Sequence, residues 1–454
     1  MMLRRWLDGL SHPRLVAIVG SFLGVVAFAW AFGRHLQEID PQVGGSDFVT
    51  SYYAAKGLLT GGVSVYDHDA LLELAARELG VVRLPRNLYP PLPSCLLLPL
   101  ALLDYGPARI LWLCANQLLL ALTMWGLARL WREQVGVSLE PLVVVSFGLL
   151  ATASAPVFNH NWQGQTNLLV LALTTWAIAL HLRGRRFDTW CGLLLGAGIA
   201  LKLYPAVLLP YLLVRRRYVA LGATASTCLV LTALSLLVVP WSDYARYPEV
   251  LLHSMYLADG GGITANLSMD ATGRALSLLL GLGPSGAEAL ALALRVVPYP
   301  VLLWLTWREL AGEPERVGVA RLVPALRLFE GLLFIGCIMT KWWLHHLVLL
   351  LPCFFLGLCL ARSTWRFRGP SLLLMASVTM VALVEHPLLV GGRLHPTPLS
   401  PLRPVLWELD RLALLLLVVA VELLIWQLTR GASTGRPAEA SARRASPDRT
   451  TRSP

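Results

Sequence analysis

WCGLLLGAGIALKLYPAVLLPYLLVRRR, residues 190–217, is apolar enough to enter a bilayer, yet it carries Lys202 and Pro205 near its centre and closes on three arginines. A hydrocarbon core roughly 30 Å thick needs about 20 apolar residues to cross it, so this stretch could span once by length alone. The flanking charge argues otherwise. Arg183, Arg185 and Arg186 precede it and Arg215, Arg216 and Arg217 follow it. Basic clusters in short loops mark the cytoplasmic side, so both ends belong there. Two half-length helices meeting at depth satisfy the length and the charge together. A broken helix survives in a membrane only where it lines a cavity. That places Lys202 at the bottom of an outward-facing cavity. An ionisable residue at such depth is a functional candidate; the blander reading is a lysine snorkelling to an interface.

The rest of the chain repeats the theme. Its 454 residues are 56% hydrophobic and 14% charged, where a soluble domain is about a quarter charged. Apolar runs of span length recur from end to end. The net charge of +11 is gathered in short clusters between those runs, the positive-inside pattern rather than a nucleic-acid surface. The seven cysteines lie in apolar stretches, their number is odd, and no Cys-x-x-Cys occurs. They read as small buried hydrophobes.

Arg4, Arg5 and Arg14 around the start of the run 15–33 place the N-terminus in the cytoplasm, and the run is long for a cleaved signal, so it reads as a retained first helix. Residues 34–87 then form a polar external loop, with short helices expected over 47–60 and 68–80 and separated by Gly61-Gly62. Residues 88–103 contain four prolines and read as a segment dipping into the outer leaflet. Runs 107–128, 142–158, 167–182, 218–240, 287–307, 325–340, 344–361, 370–389 and 405–428 alternate in direction. The stretches 159–167 and 241–270 are read as external loops. The expected fold is all-α, a polytopic transmembrane helical bundle of about 10–12 membrane helices with both termini inside. The membrane body covers 1–430, and the basic tail 431–454 has no apolar face and is expected to be disordered.

This topology collects the unusual polar groups on one side: Asp47, Tyr66, Tyr89, the stretch His160–Asn167, Lys202 from below, Asn266, Lys341, His345 and His346. An external cavity with an acid, a lysine and histidines suits acid–base or phosphate chemistry. Zinc would need further ligands near His345 and His346, and neither a His-x-x-x-His nor a cysteine pair supplies them.

Gly45-Ser46-Asp47-Phe48 ahead of Tyr52-Tyr53-Ala54-Ala55, then Gly61-Gly62, Val65-Tyr66 and Tyr89-Pro90-Pro91, resembles the first-loop pattern of family 87 glycosyltransferases. Gly164-Gln165-Thr166-Asn167, Ala200-Leu201-Lys202 before Pro205, and Trp343-Leu344-His345-His346 resemble that family too, in the same order. One departure is the lead-in Met339-Thr340-Lys341-Trp342 before the histidines. The resemblance implies a GT-C fold and a membrane enzyme. Such an enzyme moves a sugar, mannose or arabinofuranose, from a polyprenyl-phosphate donor to a lipid or glycan acceptor outside the cytoplasm. It implies Asp47 as general base, with Lys202 and His345 or His346 at the donor phosphate. Tyr66, Tyr89, Gln165, Asn167 and Asn266 are expected around the substrates. The metal-bridged nucleotide-sugar route is assigned no ligand set, so the expected reaction is a metal-independent, inverting, single displacement without a cofactor. Membrane lipids and the two lipid-linked substrates are the expected partners, and nucleic acid is not. A transporter or lipid-linked-sugar flippase is the alternative, because broken helices and a deep lysine suit that class as well.

Overall fold

The structure is a computed structural model that describes residues 13–37, 47–81, 84–256, 280–297, 321–333, 344–363 and 419–428, together with positions 276, 277, 300, 304 and 416. Among these, every regular element is helical. In chain order they are α1 (Pro13–Gln37), α2 (Asp47–Gly61), α3 (His68–Leu79), α4 (Leu92–Leu96), α5 (Leu98–Ala101), α6 (Tyr105–Val135), α7 (Pro141–Thr152), α8 (Ala155–Gln163) and α9 (Asn167–His181). There follow α10 (Asp188–Leu201), a 3-10 turn (Tyr204–Leu208), α11 (Leu209–Val214), α12 (Tyr218–Ser235), α13 (Trp241–Tyr256), α14 (Pro284–Val296) and α15 (Val323–Leu333). A second 3-10 stretch (Leu344–Leu350), α16 (Leu351–Ser363) and α17 (Val419–Leu428) complete the set.

Among the described residues, three helices are long and apolar enough to cross a membrane, within α1, α6 and α12. The pair α7 and α8 makes a fourth if read as one span bent by 61°. Lipid-facing character shows on their outer sides, where Phe22, Leu118 and Leu229 are exposed. Small residues let some of these helices approach closely, as membrane bundles require. A Cβ on Gly192 would lie 2.3 Å from the Ala220 carbonyl oxygen, and one on Gly196 would lie 2.6 Å from that of Thr224. The spacing of four puts both glycines on one face of α10, and α12 lies against it. Gly20 and Gly24 do the same for α1 against α7, beside a 2.8 Å hydrogen bond between Ser21 and Ser146.

The first loop folds as expected. Helices α2 and α3 match the anticipated 47–60 and 68–80, with Gly61-Gly62 at the junction. Asp67 caps α3 by accepting the Ala70 N–H at 3.1 Å, and Gly80, in the left-handed region at φ 67°, ends it. Residues 92–101 fold into two short helices, α4 and α5. The run 190–214 breaks at the expected stretch Lys202–Pro205: α10 stops at Leu201, Lys202 is extended, and the chain restarts at Tyr204.

Two stretches depart from expectation. The run 142–158 is not one straight helix. It turns at Ala153-Ser154, where Ser154 Oγ donates to the Ala151 carbonyl, and continues as α8 into what reads as a loop. The described part of 241–270 is likewise helical, as α13. Its anchor is Asp243, which accepts from Ser64 Oγ at 2.6 Å and from the Val65 N–H at 3.0 Å.

Two apolar cores result. One fills the bundle between α6, α9, α10, α15 and α16. The other surrounds α2, where Phe48, Tyr52 and Tyr53 are fully buried among Leu71, Tyr105 and Trp112. The tail 431–454 and the runs over 370–389 and 405–415 lie outside the described residues.

Candidate active site

Asp47 is the first residue of α2, so its carboxylate stands at a helix N-terminus, where unpaired backbone N–H groups favour negative charge. The next residue, Phe48, fixes that position from below. Its ring lies 6.4 Å from Trp112 and 5.8 Å from Tyr105, centroid to centroid. Arg109 of α6 sits 5.2 Å over the same ring and donates through Nη2 to the carbonyls of Asn161 and Trp162 at 2.5 and 2.6 Å. Trp112 Nε1 donates to the Gly164 carbonyl at 2.8 Å. Gly164 itself has φ +69°, and a Cβ there would lie 2.2 Å from Arg109 Nη1 and 2.5 Å from Phe48 Cβ. Only glycine lets the end of α8 close down this far on Phe48.

That closure delivers Gln165 to Asp47. The Gln165 Nε2 donates to Asp47 Oδ2, and its Oε1 accepts from Lys202 Nζ at 2.7 Å. Lys202 also donates to Asn167 Oδ1 at 2.6 Å. The two amides take two of the three ammonium protons. Tyr89 completes the group. Its hydroxyl is 3.2 Å from Asp47 Oδ2 and 2.9 Å from Gln165 Oε1, and its ring centroid lies 4.5 Å from Lys202 Nζ. No ion pair joins Asp47 and Lys202 directly; a neutral amide stands between them. Burial pushes the Asp47 carboxyl up to about 6, while Lys202 and the Tyr89 hydroxyl hold it from rising further.

Thus Asp47, Tyr89, Gln165 with Asn167, and Lys202 come together from four separated segments. Tyr66 is one layer back: its hydroxyl donates to the Tyr89 carbonyl at 2.7 Å and its ring stacks on Tyr247. His346 is buried on the 3-10 stretch that packs on α8, within electrostatic reach of His160. Asn266, Lys341 and the His345 side chain lie outside the described residues.

Sequence reasoning passed over Arg109, Asp243 and one motif. Arg109, near the start of a long apolar run, reads as a topology charge; what marks it is its i+3 spacing to Trp112. Asp243 was hidden in an assumed loop. The motif is Asp67-His68-Asp69, an Asp-x-Asp. Asp67 serves as the cap of α3, Asp69 is exposed in its first turn, and among the described residues no three metal-capable side chains gather.

A family model described as Glycosyltransferase family 87 matches residues 87–336. The chain belongs to glycosyltransferase family 87. Tyr89, Gln165, Asn167 and Lys202 fall inside the matched stretch and Asp47 ahead of it. Two curated relatives from Mycolicibacterium smegmatis are similar over most of the chain. A polyprenol-phosphate-mannose-dependent alpha-(1-2)-phosphatidylinositol pentamannoside mannosyltransferase is 24% identical, covering 84% of this chain and 82% of the relative. A polyprenol-phosphate-mannose-dependent alpha-(1-2)-phosphatidylinositol mannoside mannosyltransferase is 30% identical, covering 66% and 68%. A Mycobacterium tuberculosis protein of the latter description is 28% identical, covering 66% and 67%. No solved structure matches the chain. This family 87 protein is therefore a multi-pass membrane glycosyltransferase of GT-C type, and the transporter reading falls away.

Proposed function

We propose that this glycosyltransferase moves mannose from a polyprenyl-phosphate donor to the hydroxyl of a lipid-linked or glycan acceptor, on the extracytoplasmic side of the membrane. The observation that carries the reading is the pairing of Asp47 and Lys202 through Gln165, an acid and a cation held close yet kept from neutralising each other. The relatives' dependence on polyprenol-phosphate mannose supports the sugar and donor; arabinofuranose is the second sugar the family resemblance allows.

In this mechanism the Asp47 carboxylate accepts the proton of the acceptor hydroxyl as that oxygen bonds to the anomeric carbon. The bond from that carbon to the phosphate oxygen breaks, and its electron pair leaves with the lipid phosphate. Positioned proton transfer is worth about 10²–10⁴-fold. Lys202 and His346 meet the charge that grows on the leaving phosphate, in surroundings where fixed cations act strongly because water is scarce. Tyr89 and Gln165 hold the carboxylate, and Asn167 holds the ammonium. A single displacement inverts the anomeric centre, so an α-mannoside product requires a β-linked phosphate in the donor. No step uses a metal.

The test is transfer of radiolabelled mannose from polyprenyl-phosphate mannose to phosphatidylinositol mannosides by purified protein in lipid nanodiscs. Wild type should transfer, and Asp47→Asn should lose roughly 10²–10⁴-fold without a lower melting temperature. Undiminished transfer by Asp47→Asn would remove Asp47 as the base.

A further inference from the structure

Beside the catalytic group lies a second set of polar side chains that the mechanism leaves unused. His35 ends α1, Asn116 is on α6, and His160 and Asn161 are on α8. All four are more than nine-tenths buried, at 5%, 0%, 0% and 0% exposed. His160 Nε2 lies 3.4 Å from Asn116 Oδ1. The ring of His35 lies 4.3 Å from that of Phe158, which shares a face of α8 with Asn161 at a spacing of three. Helix α8 leads through Gly164 into Gln165, which accepts from Lys202, and the 3-10 stretch carrying His346 packs on α8, so the set adjoins the end of the site where Lys202 stands.

These side chains are short of hydrogen-bond partners. Both ring nitrogens of His35, Nδ1 of His160, Nδ2 of Asn116, and both amide atoms of Asn161 have none among the described residues. Burying a polar atom without a partner is unfavourable, and most folds contain few such atoms. Six on four neighbouring residues is a concentration. A core serving only to pack would carry leucine or alanine here.

The atom types identify the ligand class. A phosphate only accepts hydrogen bonds. Here the amide oxygen of Asn161 accepts, the amide nitrogens donate, and neutral imidazoles do one of each. Groups that both give and take hydrogen bonds match sugar hydroxyls. We propose that His35, Asn116, His160 and Asn161 form the subsite for a hexose ring, that of the sugar carried on the donor phosphate. The position next to Lys202 and His346 places the ring on the donor side, since the sugar is attached directly to the phosphate those cations face. This inference rests on the reading of Lys202 and His346 as the phosphate end.

The experiment compares full-length wild type with Asn161→Ala and Asn116→Leu in nanodiscs, each first shown to elute and melt as wild type does. Binding of polyprenyl-phosphate mannose is measured against bare polyprenyl phosphate. Wild type should prefer the mannosylated lipid by about tenfold, and either variant should reduce that preference to within about twofold while keeping its affinity for the bare lipid. In transfer assays the KM for donor should rise about tenfold with the acceptor KM unchanged. A rise confined to acceptor KM would move the ring to the acceptor and overturn the assignment. An unaltered preference in both variants would overturn the subsite. Should one variant fail to fold, the other decides, and His160→Gln serves as a third. Absence of transfer by wild type would defeat the proposed reaction, while the comparison of the two lipids would still judge the subsite.

Discussion

Two buried charge groups in this protein are built in opposite ways. Arg327 of α15 bonds directly to carboxylates, that of Glu330 one turn on and that of Glu422 on α17, the latter through both of its terminal nitrogens. Opposite charges there meet face to face, and the result is a clasp between helices distant in sequence. Asp47 and Lys202 are also buried or nearly so, yet Gln165 separates them and each is held by neutral groups. Direct pairing spends the charge on holding the fold, whereas an amide spacer leaves both charges available to a substrate. That difference is why the proposed chemistry is placed on Asp47 and Lys202 rather than on the clasp.

That contrast can be broken at either end. The largest effect is expected at the clasp. Arg327→Met leaves the buried Glu330 without its cation, and removing one partner of a buried pair costs about 3–5 kcal/mol. Thermal unfolding in detergent should show it as a large drop in melting temperature, with transfer per folded molecule retained. An unchanged melting temperature would show the clasp to be idle. Next comes Lys202→Met, which should lower kcat/KM about 10²-fold at little cost in stability, since Gln165 and Asn167 are neutral. A large stability loss without a loss in rate would make Lys202 a structural residue and erase the contrast. Gly164→Ala should cost about 1–3 kcal/mol, because a left-handed backbone and a crowded Cβ coincide there, and should lower transfer by displacing Gln165. The smallest effect is in pH. With its carboxyl raised to about 6, Asp47 is protonated and inactive as a base below that value. The rate should therefore rise with pH through about 6, level off above it, and fall about tenfold per unit below it. A flat profile between pH 5 and 7 would exclude Asp47 as the group that titrates.

Much of this was legible in the sequence where one physical rule dominates. Paired glycines set the junction of α2 and α3. Lys202 and Pro205 in the middle of the apolar run 190–214 marked the break that the structure shows between Leu201 and Tyr204. The bend at Ala153-Ser154 was not legible, since an apolar run reads the same whether straight or turned; only Ser154-Ala155-Pro156 hinted at a new helix start. Helix α13 was hidden by Pro248, which sits inside it and argues for a loop when seen alone. The grouping around Asp47 was anticipated as a shared side of the membrane. The order of contacts was not, because whether Gln165 touches Asp47 or Lys202 depends on how closely Gly164 packs on Phe48, and that distance has no signature in spacing.

The tie from Asp243 to Ser64 and Val65 has a consequence for the order of synthesis. The two partners are 179 residues apart, and Asp243 leaves the ribosome long after Asp47, Tyr89, Gln165 and Lys202 have all been made. The junction between α2 and α3 is therefore tied by a residue from the second half of the chain as well as by Asn87 and Tyr89 from nearby. A nascent or truncated protein ending before α13 would hold every member of the Asp47 cluster and still lack the latch on the loop between α2 and α3. One of the ties beneath the site thus forms only after the second half of the chain has been made.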